Sequence, residues 1–74
     1  MSLTTQDVEK TLPIVADSWD DLRSADVYRL LDTIIYDGIE SLCRAGEIVI
    51  EKCPHLQDEV ENVVDEIAQD EGWR

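Results

Sequence analysis

At 74 residues the chain is at most one domain, and 18 acidic residues against six basic ones give it a formal net charge of −12. Hydrophobic residues make up 43% of the chain, too many for a disordered acidic tail, although a core this small supplies only about 3–5 kcal/mol by itself. The charge argues against direct binding to nucleic acid, which needs clustered Lys and Arg for the phosphates, and disfavours docking on an anionic membrane surface.

The amino terminus, Met1-Ser2-Leu3-Thr4-Thr5-Gln6-Asp7, shows neither a basic region nor an apolar stretch, so no signal peptide is expected. The first segment, Thr4 to Leu22, carries Val8, Leu12, Val15, Trp19 and Leu22 at a 4-3-4-3 spacing, one stripe of a helix. Pro13 falls inside that stripe, where it removes a backbone hydrogen bond, and predicts a break with Thr11 capping a new turn. Trp19 is expected in the core.

A second segment opens at Ser24, a good N-cap. At 100° per residue, Val27, Leu31, Ile34, Ile35 and Leu42 cluster on one side, and Tyr28, Leu30, Ile39 and Cys43 widen the apolar arc to about 220°, against the usual stripe of little more than 100°. Ala45 and Val49 extend the stripe, so one long central helix is expected as far as Lys52, with Gly38 and Gly46 as weak points. A strand over Glu47-Ile48-Val49-Ile50-Glu51 would have no partner. An arc that wide exceeds what two short flanking helices cover, which predicts a two-fold homodimer.

The third segment starts at Cys53-Pro54, with proline suited to a first helical turn. Leu56, Val60, Val63, Val64 and Ile67 form its apolar stripe to about Asp70, and Gly72 ends it. The expected fold is therefore all-α: a single helical domain over 1–74, built as a small antiparallel bundle of about three helices with a long central one. Its core is expected at Val27, Leu31, Ile34, Ile35, Leu42, Val60, Val63 and Ile67.

Charge is spread unevenly. Residues 54–74 carry seven acids against Arg74 alone, which is half the net charge of the chain. Asp58, Glu61 and Asp65 line one flank of the third segment's apolar stripe, and Glu59, Glu66 and Asp70 line the other. Asp17, Asp20 and Asp21 form a second cluster. Successive carboxylates of the first row rise by about 4.5 and 6 Å along a helix, while phosphates of one DNA strand advance by about 3.4 Å. The spacings differ, yet both present a row of negative charge to a basic groove. Trp73 and Arg74 add a candidate contact, since tryptophan and arginine are enriched at interface hot spots.

Little points to catalysis. His55 beside Pro54 reads as a surface or cap residue, and Cys43, Cys53 and His55 match no zinc spacing. There is no calcium loop and no Gly-rich phosphate loop. No enzyme, metal or cofactor is expected. Ten residues of one helix would hold Cys43 and Cys53 about 15 Å apart, too far for a disulfide; two free thiols fit a cytoplasmic protein. A small acidic helical chain invites comparison with acyl carrier proteins, which bear their prosthetic arm on the serine of an Asp-Ser-Leu motif. Asp17-Ser18-Trp19 comes too early for that role, and Glu40-Ser41-Leu42 is expected inside a helix.

The expected function is that of a small acidic protein-binding module, an inhibitor of phage or mobile-element type that occupies a basic nucleic-acid-binding surface on a target protein, as DNA mimics and anti-CRISPR proteins do. Two alternatives stand beside it: a helical assembly or regulatory subunit binding through an apolar face, and an acidic protein adapted to a saline cytoplasm.

Overall fold

In the computed structural model, which describes residues 3–73, the chain forms helices α1 (Thr5–Thr11), α2 (Ser24–Thr33), α3 (Ile39–Lys52) and α4 (Gln57–Asp70). Short 3-10 turns lie at Leu12–Ile14, Trp19–Asp21 and Pro54–Leu56, and the described residues contain no strand.

α1 opens on a reciprocal cap. Asp7 N–H donates to Thr4 Oγ1 at 3.3 Å and Thr4 N–H donates to the Asp7 carboxylate at 3.0 Å, which satisfies two amides that the helix leaves open. The helix ends at Thr11 because Pro13 cannot continue it, and the chain tightens into the 3-10 turn with proline in its first turn. Val8, Leu12 and Leu22 are buried; Val15 and Trp19 are half-buried, packed against the core instead of inside it.

α2 begins at Ser24, but the cap position is Arg23, one residue earlier than the N-cap expected at Ser24: the Arg23 N–H donates to the Asp26 carboxylate at 3.3 Å. The larger correction comes at its other end. The long central helix is two helices, which gives four in place of about three. After Thr33 the backbone turns extended, with Ile34 at φ −74°, ψ 136°. Extended chain alternates its side chains, so Ile34 points in and is buried, Ile35 points out and is 91% exposed, and Tyr36 points back in. The Tyr36 hydroxyl donates to the Leu31 carbonyl, one of the acceptors freed at the end of α2. Ile35 is thus a surface residue and not part of the core, whereas Val27, Leu31, Ile34, Leu42, Val60, Val63 and Ile67 are buried as expected.

The break also splits the apolar arc from which a dimer was expected. The 220° arc is divided between α2, which buries Val27, Leu30 and Leu31, and α3, which buries Leu42, Ala45, Gly46, Ile48 and Val49. α4 packs on both α2 and α3, and α1 packs on α3, while Tyr28 and Ile35 of the arc stay exposed and Ile39 and Cys43 half-buried. A Cβ at Gly46 would lie 2.9 Å from Val64 Cγ2 and 3.3 Å from Val60 Cγ1, so the bare glycine sets the close approach of α3 and α4.

α4 ends in the motif typical of a helix stop. Gly72 has φ +78°, its N–H donates to the Gln69 carbonyl at 3.1 Å, and Trp73 N–H donates to the Ala68 carbonyl at 2.8 Å. That turn folds Trp73 back, its ring edge-to-face with Tyr36 at 6.5 Å between centroids. The radius of gyration, 11.0 Å, matches the roughly 11 Å of a compact chain this long. No described helix is long and apolar enough to cross a membrane.

Candidate acidic docking surface

No charged or polar residue is buried among the described residues, so the whole charge excess sits on the outside of an apolar core. All nine carboxylates singled out in the sequence, Asp17, Asp20, Asp21, Asp58, Glu59, Glu61, Asp65, Glu66 and Asp70, are exposed. Six of them stand on α4, which has no Lys, Arg or His. Around that helix the buried stripe Val60, Val63, Ile67 and Ala68 is bordered by Asp58, Glu61 and Asp65 on one flank and Glu59, Glu66 and Asp70 on the other. The amides of Asn62 and Gln69 fall between the rows, at the centre of the solvent face.

The docking of α2 extends the second row. Asp32, Asp70 and Glu66 all act on Tyr28, whose hydroxyl is pushed above its ordinary pKa, first by the Asp32 carboxylate, then by desolvation and by the two α4 carboxylates. Tyr28, 37% exposed, is therefore an aromatic surface set among three acids. Sequence reasoning assigned Tyr28 to the widened apolar arc and passed over Asp32. The i, i+4 relation of the two was legible, but their meeting with Glu66 and Asp70 depends on how two helices dock.

The other cluster lies near the opposite end of α4, about 20 Å along its axis. The Ser18 hydroxyl donates to the Asp21 carboxylate at 3.3 Å. Asp20 lies close enough to Cys53 to help burial raise its thiol pKa, burial being the larger cause, and the thiol donates to the Trp19 carbonyl at 3.3 Å. The structure thus holds this cluster beside the α3–α4 junction and does not merge it with the Glu66–Asp70 row.

Cys43 is half-buried, Cys53 is buried, and both are free thiols at the middle and the end of α3. His55 is exposed in the turn before α4. No group of three or more His, Cys, Asp or Glu side chains among the described residues is arranged to hold a metal ion. Ser41, expected inside a long helix, stands instead in the first turn of α3, half-buried and lining a cleft with Thr33 and Asp37. Trp73 packs on the bundle, and Arg74 lies outside the described residues. Comparison with family models, characterised proteins and solved structures finds no match.

Proposed function

We propose that the protein is a small acidic protein-binding module, neither enzyme nor cofactor carrier, that occupies a basic nucleic-acid-binding surface on a cytoplasmic target, in the manner of phage- or mobile-element-encoded DNA mimics and anti-CRISPR inhibitors. The observation that supports this reading is α4: six exposed carboxylates in two rows, with no basic residue on the helix. The arrangement carries a cost. Like charges at i, i+4 destabilise by a few tenths of a kcal/mol per pair, and Glu66 and Asp70 stand at the helix end where the dipole disfavours negative charge. A marginal domain that keeps such an arrangement uses the field, which steers a basic partner and fixes its register.

The test is capture from a bacterial lysate. The reading expects nucleic-acid-binding proteins to be retained, released by high salt and displaced by duplex DNA. Retention of partners that neither salt nor DNA displaces would favour the second reading, a helical assembly subunit or homodimer binding through apolar side chains. That reading draws on Ile35 at 91% and Ile14 at 60% exposure. A saline-adapted protein would instead melt at markedly higher temperature in molar salt, through screening of its self-repulsion, and retain no basic partner.

A further inference from the structure

The extended link between α2 and α3 places one large aliphatic side chain in solvent. Ile35 forms the ridge between two clefts and lines both: one of about 350 Å³ shared with Asp7, Thr11 and Ser41, the other of about 210 Å³ shared with Asp32, Glu71 and Trp73. Single exposed hydrophobic residues are ordinary. The surroundings of Ile35 are not, because each cleft has a carboxylate wall and, among the described residues, no Lys, Arg or His lines either of them, Lys10 acting on Asp7 from outside the first. The hydrogen bonds from the Thr4 backbone and side chain lower the pKa of Asp7 and so favour its charged form.

An apolar point ringed by negative charge is the complement of an apolar socket in a basic surround, and interface energy concentrates where an anchor fills such a pocket inside a polar rim. A second copy of the chain is a poor match, because it would set these carboxylates against their own equivalents with −12 on each side. We propose that Ile35 is the anchor of the module: it inserts into an apolar socket on a basic protein partner, while Asp32 and Glu71 receive the cations at the socket's rim. The inference rests on the reading of the partner as basic and adds to it a defined contact beside the carboxyl end of α4.

The experiment titrates the full chain, labelled at its isoleucine methyls, with three synthetic helical peptides of equal length. One carries lysines and a face of leucines, one has the same lysines with glutamines in place of the leucines, and one keeps the leucines without charge. The lysine–leucine peptide is expected to shift the Ile35 methyl and to bind about tenfold or more tighter than the lysine–glutamine peptide, as burial of one aliphatic side chain implies. Ile35→Ser should erase that advantage at an unchanged melting temperature, Ile35→Leu should restore it, and Asp32→Asn with Glu71→Gln should weaken both basic peptides. Equal affinity of the two basic peptides, with Ile35→Ser silent, overturns the anchor and leaves the acidic surface standing. Equal binding of the uncharged leucine peptide overturns the basic socket, and an Ile35-dependent dimer in sedimentation replaces it by a second copy. Failure of both basic peptides to bind at low salt removes the anchor and the proposed function together.

Discussion

Helices α3 and α4 have the same length, 14 residues each, and pack on one another, yet they differ in what they show to water. α3 carries Glu40, Glu47 and Glu51 with Arg44 and Lys52, and Arg44 reaches Glu47 at 3.5 Å. α4 carries six acids and no base. Both bury an apolar stripe, so the core does not require the difference. The acidity is concentrated on α4, and the proposed docking surface rests on that asymmetry.

The largest effects are expected in the core that the two helices share. Leu42, fully buried on α3, is expected to cost about 2–5 kcal/mol when replaced by alanine, enough to unfold most of a domain this small, as urea titration would read. Gly46→Leu drives a side chain into Val60 and Val64 and should cost about 1–3 kcal/mol. A neutral outcome at Gly46 would mean that the two helices are not held as closely as described.

Tyr36→Phe removes the hydrogen bond to the Leu31 carbonyl and should cost about 1 kcal/mol at neutral pH. It also carries a pH signature. Burial, with Asp32 adding to it, pushes the Tyr36 hydroxyl far above its usual pKa of 10.0. The unfolded chain therefore loses this proton first, and the stability held below pH 10 declines as pH rises above it. The phenylalanine variant should show a shallower alkaline decline in denaturant midpoint.

Smaller effects separate the two helices directly. Glu66→Gln with Asp70→Asn should raise stability by up to about 1 kcal/mol, because both charges oppose the dipole at the end of α4. Glu47→Gln on α3 should lower it by no more than about 0.5 kcal/mol, since its partner Arg44 is solvent-exposed. Opposite signs in thermal melts would show that the charge at the carboxyl end of α4, unlike that of Glu47 on α3, opposes the fold, whereas Asp58 and Glu59 in the first turn of α4 favour it.

The parts of this molecule legible in the sequence are those set by local chemistry. Pro13, Pro54 and Gly72 end or begin helical turns through their own backbones, and the two carboxylate rows of α4 follow from 3.6-residue periodicity. The break after Thr33 was not legible, because Ile34 and Ile35 both continue the helical stripe from Leu31. Its cause is tertiary: an extended backbone buries Ile34 and Tyr36 together, and the Tyr36 hydroxyl takes up the Leu31 carbonyl. For the same reason the exposed Ile35 and the surface that joins Tyr28 and Asp32 to Glu66 and Asp70 appear only once α2 is set on α4.

The measurement that bears most directly on the central claim removes the same amount of charge from each helix. One variant replaces Glu40, Glu47 and Glu51 of α3 by glutamine, and the other replaces Asp58, Glu61 and Asp65 of α4 by their amides. Both have the same net charge, and their affinities for the partner recovered by DNA-displaceable capture are compared at physiological ionic strength. The α4 variant is expected to lose about 30-fold or more, roughly 2 kcal/mol, and the α3 variant to stay within about threefold of the parent. Equal losses in the two variants, or none in the α4 variant, would show that α4 is not the docking surface and contradict the account.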